Sequence, residues 1–176
     1  MSQAIVLIGP RAAGKSHFGR RLAARLGWEF VDADPELERR HGHTIAAWLP
    51  ADPEGFRAAE AALLADLLDR PATVLALGGG IVETPAAVAR LAAWPRVWAL
   101  TASVAELCAR QRGAGRPALT DLPLEEEVAA ILVRRGAAYA TAASGRLVDT
   151  GGSEPAAWER LLAALGDLAS PEAGGA

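Results

Sequence analysis

Apolar residues along the chain fall into short runs separated by longer stretches with helical spacing. The runs at residues 4–8, 29–31, 73–77, 96–100 and 146–148 have the length of strands. Between them, Phe18, Leu22 and Leu26 recur at i, i+4 and i+8, and the stretch from Glu54 to Leu68 is apolar over a broad face. Parallel strands need crossovers of a dozen or more residues, so this alternation predicts an α/β fold: a five-stranded parallel sheet flanked by helices on both faces. Ligands on such sheets bind beyond the carboxyl ends of the strands. Two stretches interrupt the alternation. Residues 34–60 insert mostly helical material, read as a substrate-recognition insert, and residues 111–123 (QRGAGRPALTDLP) are rich in Gly, Arg and Pro and read as a lid. The tail at about 170–176 is expected to fray.

Composition narrows the class without changing this picture. At 176 residues and 51% apolar, the chain fits one domain with a real core. No apolar run reaches the roughly 18 residues of a membrane span, and the N-terminus reads straight into a strand, so no membrane partner is expected and the default compartment is the cytoplasm. The net charge of −3 and the lack of an aromatic-basic stripe argue against a nucleic-acid partner. The one cysteine, Cys108, is read as a core-facing helix residue. His17, His41 and His43 form no zinc or nucleophile signature, and the last two flank a glycine in an expected turn. Trp28, Trp94 and Trp98 lie in or beside core strands and are expected to be buried. Of 18 basic residues, 17 are Arg and one, Lys15, is Lys. In a chain that uses arginine everywhere else, a lone lysine asks for a specific reason.

That reason is local. Directly after the first strand, GPRAAGKS at 9–16 fits G-x-x-x-x-G-K-[ST] and precedes a helical stretch. Gly9 and Gly14 let the backbone turn its N–H groups inward, and the helix starting near Lys15 adds its positive end to an anion site. Lys15 can then reach the β- and γ-phosphates and Ser16 can ligate Mg²⁺; the plainer alternative is a glycine turn capped by Ser16. The second strand ends in FVDADPELE, where Asp32 and Asp34 alternate and, if extended, point the same way. One carboxylate can support magnesium and the other can take a proton from an attacking hydroxyl, unless Asp34 or its neighbour only caps a helix with Pro35 at its first position. The third strand runs into Gly78, Gly79 and Gly80, read as close backbone approach to a ligand or as a flexible connection. Arg57 lies three residues before Glu60 on an expected helix, a spacing at which the two can pair. Arg116 and Arg135 are further candidates, but composition alone does not separate them from solvated surface arginines.

The motifs GPRAAGKS, FVDAD, GFRAAE, LALGGGIV, GRPALT and RRGAAY, in this order over nearly the whole chain, resemble shikimate kinase. The resemblance implies a small cousin of the nucleoside monophosphate kinases, with a lid and a shikimate-binding insert. It implies transfer of the ATP γ-phosphate to the 3-hydroxyl of shikimate, giving shikimate 3-phosphate and ADP, with Mg²⁺, in chorismate and aromatic amino acid biosynthesis. By the same resemblance, Arg11, Ala12, Ala13, Gly14, Lys15, Ser16 and His17 match the ATP phosphate site, and Ser16 and Asp32 match the Mg²⁺ positions. Asp34 matches the carboxylate that contacts the shikimate hydroxyls and serves as base. Arg57 and Arg135 match a clamp on the substrate carboxylate, with Glu60 beside Arg57, and Gly79 and Gly80 match the backbone facing the ring. Arg116 matches the lid arginine over the phosphates, and Arg110 and Pro155 match the pair around adenine. Lys15, Asp34 and Arg116 are thus the expected catalytic set, in a chain expected to act as a monomer. Relatives usually carry Gly in place of Ala12 and Thr in place of His17. The rival readings are a P-loop kinase of another polyol or sugar acid, such as gluconate, and a nucleotide-binding switch without transfer.

Overall fold

The computed structural model describes residues 4–113 and 120–170. Five strands, β1 (Ile5–Ile8), β2 (Glu29–Asp32), β3 (Thr73–Ala76), β4 (Val97–Thr101) and β5 (Leu147–Asp149), form one parallel sheet in the order β2-β3-β1-β4-β5. The helices are α1 (Lys15–Leu26), α2 (Ala33–His41), α3 (Ile45–Ala51), α4 (Pro53–Leu68), α5 (Pro85–Ala92), α6 (Val104–Gly113), α7 (Leu124–Ala142) and α8 (Glu154–Leu165). Central strands of a doubly covered parallel sheet have no wet face, which is why β1 and β3 are buried at every residue.

Alternate strand residues feed two cores. Val6, Ile8, Leu75, Val97 and Ala99 face one side and pack with Leu37, Phe56, Leu64, Leu67, Leu91 and Tyr139. Ile5, Leu7, Val74, Trp98 and Leu100 face the other and pack with Leu22, Leu26, Leu107, Trp158 and Leu161. Each fully buried leucine of this kind is worth about 1.5–3 kcal/mol, against roughly 0–1 kcal/mol for an exposed ion pair such as Arg39–Glu36. The two cores therefore hold the sheet, and the surface arginines contribute little.

The expected strands all form, each within a residue or so of the expected ends. Cys108 is fully buried on α6, and Gly42, between His41 and His43, closes α2 with φ +72°. The helical stretch read from Glu54 to Leu68 forms as α4, because Leu63, Leu64, Leu67 and Leu68 belong to the core under the sheet, while the preceding helix starts at Ala33. α6 continues through Gly113, with Gln111 buried, so the first residues of the expected lid are helical. Residues 114–119, Arg116 among them, lie outside the described residues, as does the tail from 171. Thr120 then anchors the approach to α7: its N–H and hydroxyl both reach the buried Glu127 carboxylate, at 2.7 and 2.9 Å. Trp98 is buried as expected, but Trp28 and Trp94 are only half-buried. An indole is large and carries an N–H that needs an acceptor; Trp94 finds it on the Ala4 carbonyl, 3.0 Å away, where β1 enters the sheet. Among the described residues no helix is long and apolar enough to cross a membrane.

Candidate active site

All five strands point their carboxyl ends at one edge, and β1, the central strand, delivers the segment 9–14 there between β3 and β4. Gly9 has φ +135°, and a Cβ on it would overlap the Leu100 carbonyl oxygen of β4, so only glycine lets the chain leave β1 at this angle. Gly14, at φ +92°, is the N-cap of α1 and carries no side-chain cap. The first-turn amides of α1 have no acceptor one turn back in the helix and, with the helix dipole, define an anion site. Lys15 Nζ lies 2.9 Å from both the Gly9 and Pro10 carbonyl oxygens, folded along the loop it serves. Ala12 also has a left-handed backbone, φ +65°, an uncommon position for a residue with a Cβ.

The Ser16 hydroxyl donates to Asp32 Oδ2 at 2.5 Å, joining the end of β2 to the start of α1. A hydroxyl and a carboxylate are hard oxygen donors, and Mg²⁺ is commonly held by one or two protein oxygens plus substrate phosphates and water. The residues present therefore fit Mg²⁺ as partners of a phosphate-bound ion; among the described residues no group of three or more His, Cys, Asp and Glu forms a self-sufficient metal cage. Asp34 does not alternate with Asp32 along a strand. The helix α2 starts at Ala33, with Asp32 in the N-cap position and Pro35 at the third helical residue rather than the first. First-turn N–H groups have no intrahelical acceptor, so the missing N–H of Pro35 costs nothing there. The helical turn nevertheless aims Asp34 at the site: a Cβ on Gly78 would collide with its Oδ1. Asp34, Glu60 and Gly78 line a cleft completed by Leu37, Leu63, Leu64, Leu77 and Ile81.

On the β4–β5 side the loop is fastened by residues that spacing did not reveal. The buried Thr150 hydroxyl lies 3.0 Å from the Ala13 carbonyl and 2.9 Å from that of Thr101, sharing its one proton between them. It also accepts from Arg110 Nη1 at 3.1 Å, and Arg110 donates further to the Thr150 carbonyl (2.6 Å) and to that of Ala12 (3.3 Å). Glu106 accepts from the Ser103 hydroxyl at 2.7 Å, from the Gly152 amide at 2.5 Å and from the Ser103 amide at 3.1 Å, bonds that hold its carboxyl down to about 2. Pro155 sits exposed in the first turn of α8. His17 is turned away from the loop, its Nε2 3.2 Å from Glu154 Oε1, so only its backbone faces the anion site.

Across the glycine run lies a dense set of charges. Arg57 donates to Glu60 Oε2 at 2.7 Å, the pairing its spacing predicts, and to Glu83 Oε2 at 2.5 Å. Arg135 donates through Nε (2.9 Å) and Nη2 (2.6 Å) to Glu83 Oε1, and through Nη1 (3.1 Å) to the Gly79 carbonyl. Arg134 joins the same Glu83 oxygen at 2.8 Å, and the Tyr139 hydroxyl donates to the Gly79 carbonyl at 2.6 Å. Burial pushes the Glu60 carboxyl above its ordinary pKa against the pull of Arg57. Partial burial pushes Glu83 up as well, but the hydrogen bonds and charges of Arg135, Arg57 and Arg134 outweigh it and leave its pKa below the ordinary carboxylate value. Glu83, Arg134 and Tyr139 were not among the sequence candidates. The i, i+4 spacing of Arg135 and Tyr139 on α7 was the available signal for the last, while nothing local marks Glu83.

The glycine run brings the two halves together: a Cβ on Gly79 would lie 3.4 Å from the Gly9 carbonyl oxygen and 3.6 Å from the Arg11 amide nitrogen. A phosphate loop with a lysine and a hydroxyl–carboxylate pair on one side, and convergent guanidiniums on the other, defines a P-loop phosphotransferase for a small anionic acceptor. The family model for shikimate kinase matches residues 11–165. A shikimate kinase of Halorhodospira halophila is 38% identical over 163 residues, 92% of each chain. The solved shikimate kinase from Acinetobacter baumannii in complex with shikimate superposes with a TM-score of 0.81 at 33% identity, covering 94% of both chains. This chain belongs to the shikimate kinase family. A gluconokinase from Sinorhizobium meliloti, at 19% identity and a TM-score of 0.58, shares the fold alone.

The strained Ala12 gives a stability test. A left-handed φ costs an L-residue about 1–2 kcal/mol, and glycine gives back about 0.5–1 kcal/mol through its freer unfolded chain. Ala12→Gly is expected to gain about 0.5–1 kcal/mol, a rise in Tm of roughly 2–3 °C by scanning fluorimetry. A fall would show that the packing of the Ala12 methyl outweighs its backbone strain.

Proposed function

We propose that this chain is an ATP-dependent shikimate kinase that phosphorylates the 3-hydroxyl of shikimate, giving shikimate 3-phosphate and ADP. The observation that carries the reading is the juxtaposition, across Gly79, of the phosphate loop with the Arg57–Arg135 pair, in a chain whose relatives by sequence and by structure are shikimate kinases. Arg57 and Arg135 clamp the acceptor carboxylate, Gly79 and Gly80 face its ring, and Glu60 steadies Arg57. Asp34 contacts the acceptor hydroxyls and takes the proton released as the 3-oxygen attacks phosphorus and the bond to the bridging oxygen of ADP breaks. Backbone N–H groups from Arg11 to His17 hold the phosphates, and Lys15 neutralises charge on the group in transfer. Ser16 and Asp32 hold Mg²⁺, which when bound screens the phosphate charge. Arg110 and Pro155 frame the adenine, and Arg116 closes over the phosphates. The protein contributes mainly position and charge, as phosphoryl transfer requires. The same reading makes the enzyme a cytoplasmic monomer; its single cysteine suits a reducing compartment.

Coupled ADP-release assays test the activity directly. With ATP and Mg²⁺, shikimate is expected to turn over and gluconate is not, and chelation of the metal is expected to abolish the signal; turnover with gluconate alone would overturn the assignment. Lys15→Ala is expected to lower kcat by about 10²-fold or more while leaving the melting temperature near wild type. If kcat stays near the wild-type value, Lys15 does not touch the transferred phosphoryl. Arg135→Ala is expected to raise KM for shikimate by roughly 10-fold or more, one charge-assisted hydrogen-bonded contact, with KM for ATP within about twofold. An equal loss toward ATP would remove the clamp from the reading.

A further inference from the structure

The acceptor-side arginines share a carboxylate to which the phosphoryl-transfer chemistry itself assigns no step. Glu83 closes a 3₁₀ turn, Ile81–Glu83, that directly follows the glycine run, and its N–H donates to the Gly80 carbonyl at 2.9 Å. The backbone that faces the acceptor thus also fixes where Glu83 stands. Its two oxygens are divided between elements far apart in sequence: Oε1 takes Arg134 and Arg135 of α7, and Oε2 takes Arg57 of α4. The Arg57 and Arg135 side chains are only 22% and 13% exposed, whereas that of Arg134 is 65% exposed and acts as an outer anchor.

A guanidinium has five N–H groups. On Arg135, the edge formed by Nε and Nη2 is taken by Glu83 and one Nη1 proton by the Gly79 carbonyl, and the Tyr139 hydroxyl is a further hydrogen-bond partner, so that at least one terminal N–H is left over. Arg57 is held in the same way between Glu60 and Glu83, with further N–H groups to spare. Three guanidiniums brought together without a carboxylate between them would repel, and long side chains with about 2 kcal/mol of rotamer entropy each would swing toward water.

We propose that Glu83 is a positioning residue for the acceptor: by bridging Arg57 and Arg135 it fixes their separation and orientation, so that their remaining N–H groups converge on the substrate carboxylate. The proposal rests on the reading that these two arginines bind that carboxylate. Glu83 touches neither the phosphates nor the reacting hydroxyl in this scheme, so its effect falls on acceptor binding and not on the chemical step.

The test is steady-state kinetics on Glu83→Gln and Glu83→Asp beside Arg135→Ala, each with a melting curve. Glu83→Gln keeps the volume and removes the charge; KM for shikimate is expected to rise about 10-fold, with kcat and KM for ATP within about twofold. Glu83→Asp keeps the charge on a shorter arm and is expected to recover part of that loss, and it stands in should the Gln variant fold poorly. A purely structural role would lower the melting temperature and leave KM for shikimate unchanged, and that result overturns the proposal. So does a fall in KM, which would make Glu83 a competitor for the arginines. If Arg135→Ala raises KM and Glu83→Gln does not, the positioning role alone fails; if Arg135→Ala leaves KM unchanged, the clamp itself fails.

Discussion

The site depends on three consecutive residues without side chains. Each of Gly78, Gly79 and Gly80 abuts a different part of the machinery: Asp34 at the first, the Gly9 carbonyl of the phosphate loop at the second, and the Arg57 guanidinium, 2.9 Å from an added Cβ, at the third. A methyl group at Gly78 or Gly80 would press on Asp34 or on Arg57, whereas at Gly79 it would meet the phosphate loop only at van der Waals contact. The run follows β3, which lies between β1 and β2, so the sheet itself sets the distance between the phosphate loop, the Ser16–Asp32 pair and the arginines of α4 and α7. Rigid strands, buried on both faces, supply the precision that loops alone would lack.

Charge is then distributed unequally across that seam. On the side of the phosphate loop the compact positive groups are the first-turn amides of α1 and the Lys15 ammonium, which lies along the loop. Across the glycine run the positive groups are arginines, whose forked donors are engaged by carboxylates of the protein itself. There Arg57, Arg134 and Arg135 meet two carboxylates, Glu60 and Glu83, which answer differently to their surroundings. Glu60, mostly buried with one arginine partner, is pushed toward its neutral form; Glu83, less buried with three, is held ionised. The shared carboxylate thus fixes how the guanidiniums are oriented while leaving the cluster net positive.

The chemistry of the phosphate loop was legible in the sequence because it is local: a strand, a turn with glycines at fixed offsets and a helix start all lie within a dozen residues, as do Asp32 and Asp34 at the end of the next strand. The same local reading misjudged Asp34, since alternation along an extended strand ceases where α2 begins at Ala33, and only the packed helix shows that Asp34 still meets Gly78. Arg57 and Glu60 were legible as a helical pair, and they do pair. His17 was placed with the phosphates by its position in the motif, yet its side chain finds Glu154 on α8 instead, a partner 137 residues away.

The sequence by itself determined the periodicities, hence the alternating strands and helices, the parallel sheet and the edge at which ligands bind. It also determined the backbone chemistry at positions where only glycine can turn. What only the tertiary structure decided was which arginines of α4 and α7 meet at Glu83, and that Thr150 and Glu106 fasten the β4–β5 side of the phosphate loop. The physical reason is the same in each case: these contacts join elements through side chains whose separation in sequence carries no period, so their partners are set by sheet order and helix packing, which no local pattern encodes.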